Sequence, residues 1–238
     1  MKITKGAGAL MLLLSVACSP KYYVPNTQNV PMISAKGQAN VTVAANGNQG
    51  EFQAAYGVSN AVAFQVNAGI VRPREEDNGD GGKGSLFEAG LGYYRNVSPN
   101  VLFDMYVLGG FGKMENDFPS TLTASPNTTG IIKADIVRFG VQPGLSLHRQ
   151  RFSLSGSARI SSLRYSNIQG NLIFGGVNQV TYLTDHKTST LIEPAVTLRL
   201  GGEKFKLQIQ IARSINLTTS DFKQDKSLAT VGFNYRFR

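Results

Sequence analysis

Apolar and polar residues alternate along most of the chain after residue 37. In residues 204–216, for example, Phe205, Leu207 and Ile209 are separated by polar residues. This period of two is typical of a β-strand with one apolar and one polar face. Ten such runs are predicted, over residues 38–46, 50–58, 61–72, 85–96, 101–113, 131–148, 151–165, 187–200, 204–216 and 226–237.

The connections between these runs alternate in length. Residues 59–60 and 201–203 form short turns, whereas residues 114–130 and 165–186 form long connections. Transmembrane β-barrels have short periplasmic turns and longer external loops. The pattern predicts an all-β fold, a closed antiparallel transmembrane barrel of about ten strands, or eight, in an up-and-down meander. An even number of strands then predicts that both chain ends lie in the periplasm.

The composition of the two faces indicates which one points outward. The polar face is mostly Gly, Ser, Ala, Asn and Thr, whereas the apolar face is large, aromatic and nearly free of charge. A water-facing exterior would carry many long charged side chains, and hydrocarbon requires an apolar one. We therefore expect the apolar face outside. Pro143 and Pro194 lie within predicted strands, so bulges are expected there.

The first residues indicate export. A basic start is followed by a short apolar run and small residues, which is typical of a signal peptide over residues 1–17. The small residues directly before Cys18 resemble a bacterial lipobox, and this resemblance implies that Cys18 is the lipidated first residue. Residues 18–37 are rich in proline and lack a period, so they are predicted to form a lipidated, extended tether or a periplasmic plug, with residues 38–238 as the barrel domain.

Composition restricts the partners. The chain has 24 basic and 15 acidic residues, but an exported chain does not meet nucleic acid. We expect contact with outer-membrane lipids and with the phosphates of lipopolysaccharide. Cys18 is the only cysteine, so a disulfide within the chain or a cysteine-based metal site is excluded.

The region 38–238 resembles the small outer-membrane β-barrel proteins of Gram-negative bacteria. The last strand carries the most specific likeness, because its apolar residues alternate up to a final aromatic, at Val231, Phe233, Tyr235 and Phe237. The resemblance implies that these four residues are the signal read by the outer-membrane assembly machinery. It does not imply one activity.

The polar face is predicted to place a network of polar and charged residues in the lumen. Barrels of about eight strands fill with side chains, and charges away from water must be paired. A packed, salt-bridged interior is therefore favoured over a selective channel. The predicted network is Glu88, Asp104, Arg138, Gln142, Arg159, Glu193, Arg199, Lys206 and Arg236.

No motif predicts catalysis, a metal or a cofactor. Asp185, His186 and Ser189 have the residue types of a hydrolase, but no nucleophile elbow accompanies them. The acidic loop at residues 75–82 lacks the spacing of a calcium-binding loop. We expect a non-enzymatic barrel with a structural or surface-binding role through its external loops. The alternatives are a narrow pore for small solutes and a soluble periplasmic, lipocalin-like lipoprotein with a lipophilic ligand inside.

Overall fold

The computed structural model describes residues 19–72, 80–119 and 127–237, so Cys18, the predicted signal peptide and most of the acidic loop lie outside the described residues. Within these ranges no helix is long and apolar enough to cross a membrane. The elements in chain order are β1 (Ala39–Ala45), β2 (Gln49–Gly57), β3 (Val62–Val71), β4 (Gly81–Ser98), β5 (Val101–Phe118), β6 (Gly130–His148), β7 (Phe152–Gly170), β8 (Ile173–Phe174), β9 (Val177–Asn178), α1 (Gln179–Asp185), β10 (Thr188–Gly201), β11 (Phe205–Arg213), β12 (Ile215–Asn216) and β13 (Ser227–Phe237).

Ten of these strands form a closed antiparallel barrel. Each long strand pairs with its neighbour in the chain, and β1 closes the sheet by pairing with β13. This closing ladder runs from Ala39 opposite Phe237 to Ala45 opposite Val231. The predicted fold class and strand number are therefore confirmed. The short elements β8, β9, β12 and α1 belong to the long connections.

The barrel has two distinct ends. We call the end with the connections at 46–48, 72–80, 119–129, 171–187 and 214–226 the loop end, and the end with the turns at 58–61, 99–100, 149–151 and 202–204 the turn end. Strands β4 to β7 have 18 or 19 residues, whereas β1 has only 7. The long strands extend beyond the short ones at the loop end. The sequence pattern left out the loop-end tips of β4, β5 and β7, because these tips consist mostly of glycine and polar residues.

The apolar face points outward, as predicted. Phe205 and Phe233 are 52% and 54% exposed, whereas Gln208 and Gln210 are 1% and 0% exposed. Hydrocarbon favours this arrangement, since it surrounds the barrel with apolar side chains while the barrel backbone pairs within the sheet. A soluble lipocalin-like barrel requires the opposite arrangement and does not fit the structure.

The bulges expected at Pro143 and Pro194 are absent. The β6–β7 ladder lacks pairs at residues 142 and 143 but keeps the same register on both sides. At Pro194, β10 likewise lacks pairs between its β11 and β12 partners in the described chain, and the register is the same on both sides. The sheet tolerates both prolines through local interruptions of a ladder, and register shifts occur elsewhere, near Ser98 and Asp135.

The described chain ends lie at opposite ends of the barrel. The last described residue, Phe237, is at the turn end, opposite Ala39. The first described residues do not lie at the turn end. They lie at the loop end, where Tyr22 donates its backbone N–H to the carbonyl of Lys223 at 2.9 Å, and the chain then descends through the lumen to β1.

Candidate functional site

Residues 20–34 fill the lumen, and we call this segment the plug. Its path follows from contacts with successive levels of the wall, from Asn116 near the loop end to Asn96 near the turn end. Most of its side chains are buried, polar and apolar alike. The plug therefore lies inside the barrel and not as a tether outside it.

Four buried charges occupy the centre of the lumen. Glu88 on β4, Arg138 on β6, Arg159 on β7 and Glu193 on β10 form what we call the charge cluster. Nη2 of Arg138 lies 2.5 Å from Oε2 of Glu88, and Nε of Arg159 lies 2.8 Å from Oε2 of Glu193. Cross-links of 3.6 Å and 3.9 Å join the two pairs. Two positive and two negative charges thus balance without solvent.

The sheet register explains why Arg138 reaches Glu88 across β5. Gly110 of β5 lies directly between them, opposite Glu88 on one side and Arg138 on the other. A Cβ atom at Gly110 would lie 2.4 Å from Cγ of Glu88 and 2.7 Å from the carbonyl oxygen of Phe87. Glycine therefore leaves the space through which the ion pair forms. Arg159 and Glu193 need no such gap, because they are direct cross-strand partners.

The plug completes the charge cluster. The hydroxyl of Tyr23 donates to Oε1 of Glu193 at 2.8 Å and accepts a hydrogen bond from Nη1 of Arg138. The side-chain oxygen of Asn26 accepts from Nη2 of Arg138 at 2.6 Å, and its carbonyl accepts from Nη2 of Arg159 at 3.2 Å. These contacts use guanidinium donors that the two carboxylates leave free, so the plug and the wall share one hydrogen-bond network.

Below the cluster, each plug residue meets a polar residue of the wall. The backbone N–H of Thr27 donates to Oε1 of Glu51 at 2.8 Å. Gln28 accepts from Ser157 through its side chain and donates its backbone N–H to Gln210 at 2.7 Å. The carbonyl of Asn29 accepts from Nε2 of Gln142 at 2.8 Å, which gives this predicted lumen residue its partner.

Near the turn end the plug becomes apolar. Val30, Met32 and Ile33 pack with wall residues in one buried cluster. The wall members are Ala55, Ala63, Tyr94, Leu102, Tyr106 and Leu108. This cluster buries apolar surface that would otherwise face the lumen, so both hydrogen bonds and apolar packing hold the plug.

The remaining predicted lumen residues form a separate group near the turn end. Arg199 is buried and donates to Oε1 of Gln208 at 2.8 Å, and Nζ of Lys206 donates to the carbonyl of Gln150 at 2.7 Å. Arg236 donates to the carbonyl of Met32 at 3.4 Å. Asp104 is also buried. The structure therefore brings together only four of the nine predicted network residues as ion pairs.

An aromatic cover closes the lumen at the loop end. Asn178 caps α1 by accepting hydrogen bonds from the backbone N–H groups of Val180 and Thr181. The ring of Tyr182 lies 5.7 Å from that of Tyr22 and 6.4 Å from that of Phe222. The helix and the 214–226 connection thus pack over the first plug residues.

The hydrolase residue types do not meet. Nδ1 of His186 lies 2.7 Å from the carbonyl oxygen of Tyr182, and the two rings contact each other in a tilted arrangement with 4.5 Å between centroids. The hydroxyl of Ser189 is buried and has no hydrogen-bond partner among the described residues. A nucleophile requires a base within hydrogen-bond reach, and this pair does not supply one.

A row of basic residues follows the upper limit of the outer apolar surface. Lys83, Glu115 and Lys133 are cross-strand neighbours, with ion pairs of 3.3 Å and 3.2 Å to the central carboxylate. Lys113 is exposed one level below, between Ser85 and Asp135. We call the three lysines the basic row. Phe111 and Phe87 lie directly beneath it, with ring centroids 5.6 Å apart.

No protein-family model and no curated protein matches the chain. Among solved structures, the translocator domain of the autotransporter NalP from Neisseria meningitidis has 11% identity and a TM-score of 0.44, over 84% of this chain and 86% of that chain. LpxR from Salmonella typhimurium has 9% identity and a TM-score of 0.34, over 84% and 99%. A major outer membrane protein from Thermus thermophilus has 12% identity and a TM-score of 0.37, over 84% and 98%. These structural neighbours are outer-membrane β-barrel proteins, and the similarity is one of architecture.

Sequence reasoning did not identify the plug residues that contact the wall, or their wall partner Glu51. Tyr23, Asn26 and Thr27 belong to a stretch without a period, and Glu51 lies on a strand whose luminal side was characterised only by its small residues. A usable signal was present, because a proline-rich stretch with several amides and no charge between residues 22 and 35 suits a polar lumen. The sequence pattern does not indicate in which direction this segment runs along the lumen.

Proposed function

We propose that this chain is an outer-membrane β-barrel lipoprotein with a closed lumen, and that it acts as a structural or surface-binding protein through its loop end. The observation that carries the proposal is the plug, which shares one hydrogen-bond network with the charge cluster. A lumen occupied along its length by its own chain leaves solutes no path. The long connections are then the parts of the rigid scaffold available for recognition.

The composition of the outward face supports this proposal. The outward face is apolar around the whole barrel, and Val231, Phe233, Tyr235 and Phe237 all belong to that face. On the resemblance to outer-membrane proteins, we propose that the assembly machinery reads this last strand. We propose that the phosphates of lipopolysaccharide or other outer-membrane lipids contact the basic row, which borders the outer apolar surface. We propose no enzymatic activity.

Conductance in planar lipid bilayers tests the closed lumen. The purified full-length protein should show little or no steady current, because plug and wall are joined from Asn116 to Asn96. A variant lacking residues 20–33, checked for folding by heat-modifiable migration in gels, should conduct. Large and stable currents through the full-length protein would overturn the closed lumen.

A narrow pore remains the second candidate, and one observation favours it. The wall around the plug is polar, with Gln53, Gln65, Asn67 and Thr197 buried at the lumen. Partial withdrawal of the plug would therefore open a hydrophilic path rather than an apolar one. Brief, discrete openings of the full-length protein, abolished by a disulfide between plug and wall, would support this candidate instead.

A further inference from the structure

The direction of the plug fixes where the processed chain begins. Residues near 22 contact the 214–226 connection, residues near 26 contact the charge cluster, and Ser34 contacts Asn96 at the turn end. The chain thus travels from the loop end to the turn end before β1 starts back upward. An extended chain spans at most about 3.3–3.6 Å per residue, so the 13 residues from Lys21 to Ile33 can cover up to roughly 45 Å. That is about the thickness of a bilayer with its headgroups.

The entry point is held from several sides. The backbone N–H of Lys21 donates to Oδ1 of Asn116 at 3.1 Å, and Nδ2 of Asn116 returns a bond to the carbonyl of Lys21 at 3.0 Å. Nζ of Lys21 lies 3.4 Å from Oδ1 of Asp225. The backbone of Tyr23 also accepts from the N–H of Asp225 at 2.9 Å. The segment is therefore fixed to β5 and to the 214–226 connection where it enters the lumen.

Connectivity carries this position to Cys18. Consecutive Cα atoms are about 3.8 Å apart, so the chain before Ser19 starts from the side of the barrel where Lys21 is held. A lipid on Cys18 at the turn end would require the plug to leave the lumen. That would break the shared network of the charge cluster and expose the apolar residues Val30, Met32 and Ile33.

We propose that the processed amino terminus emerges at the loop end, and that the lipid of Cys18 anchors the protein in the leaflet on that side. Because the loop end is the external side in the proposed function, the anchor is in the outer leaflet and the terminus is on the cell surface. The chain then threads its own barrel from outside to inside. This inference rests on the proposed orientation and lipidation, and it replaces a periplasmic amino terminus.

Introduced cysteines, labelled on intact cells with a membrane-impermeant maleimide, test the inference. Three variants are compared with the parent protein, whose Cys18 supplies the background. Ser19→Cys probes the start of the plug, Asn48→Cys probes the loop end, and Ser98→Cys probes the turn end, where this side chain is exposed directly before the 99–100 turn. Labelling after lysis and denaturation gives the total thiol of each variant, and the fast-migrating gel band shows that each one is folded.

We expect Ser19→Cys and Asn48→Cys to be labelled on intact cells to a similar extent, and Ser98→Cys to be labelled only after lysis. Labelling of Asn48→Cys without Ser19→Cys would overturn the inference and leave the proposed orientation intact. Labelling of Ser98→Cys without Asn48→Cys would overturn the orientation itself, and with it the proposed function.

Discussion

Removal of one charge from the charge cluster should destabilise the barrel strongly. Arg138→Gln leaves Glu88 and Glu193 with Arg159 alone, so the cluster changes from neutral to a net negative charge. Both Arg138 and Glu88 are 1% exposed, so solvent does not compensate. Breaking a buried pair by removing one partner costs about 3–5 kcal/mol, which for a domain of this size corresponds to a fall in unfolding temperature of roughly 6–20 °C.

A double-mutant cycle separates the charge imbalance from lost packing. Glu88→Gln combined with Arg138→Gln leaves Arg159 and Glu193 as a balanced pair, 2.8 Å apart. The double variant should therefore be more stable than Arg138→Gln alone, with an interaction free energy of at least about 1 kcal/mol. Lys83→Gln is the matched surface control, because the side chain of Lys83 is 66% exposed in its ion pair with Glu115, and it should cost less than about 1 kcal/mol.

The assay is the temperature at which half of the folded, fast-migrating protein converts to the unfolded band in a gel. Far-UV circular dichroism of the detergent-folded protein provides a second readout, because the chain has no tryptophan for fluorescence. If the double variant proves as unstable as the sum of the two single variants, the groups are not coupled. The charge cluster would then contribute nothing as a unit, and the reasoning would be wrong.

Three other changes test separate parts of the structure. Gly110→Ala should lower the unfolding temperature by several degrees, because the added Cβ would meet Glu88 and the backbone of Phe87. Gly156→Ala is the control and should be nearly neutral, because nothing lies within 4 Å of its added Cβ. Equal effects of the two changes would contradict this account. Replacing the three lysines of the basic row with glutamine should reduce lipopolysaccharide that co-purifies with the protein, measured by mass spectrometry, and unchanged recovery would count against phosphate contact there. Phe237→Ser should lower the amount of barrel assembled in membranes at equal synthesis, measured by the fraction of the fast-migrating band, and normal assembly would remove this residue from the proposed signal.

The sequence was sufficient for the barrel because its information is local. Alternation of Phe205, Leu207 and Ile209 with polar residues states both the strand and its orientation. Short connections state which strands are neighbours. The number of strands then follows from counting. An even number makes the first and last strands antiparallel, as β1 and β13 are where they close the barrel.

The plug could not be predicted in the same way, because its contacts are long-range and lack a period. The hydrogen bond of Tyr23 to Glu193 joins residues 170 positions apart, and that of Gln28 to Gln210 joins residues 182 positions apart. The partners of Arg138 depended on Gly110, whose role is visible only once the register is known. Counting strands also predicts the side of the first strand but not the route by which the preceding residues arrive.

The position of the plug constrains the order of assembly. Residues 34–38 lead directly into β1, and the seam between β1 and β13 joins the first barrel strand to the last one synthesised. If the seam formed first, the residues before Lys21, with the lipid that we propose on Cys18, would have to be drawn through a closed barrel. We therefore expect the ladder between β1 and β13 to form late, around a plug already in position, so that a folding factor that holds these two strands apart would also decide on which side of the membrane the proposed terminus lies.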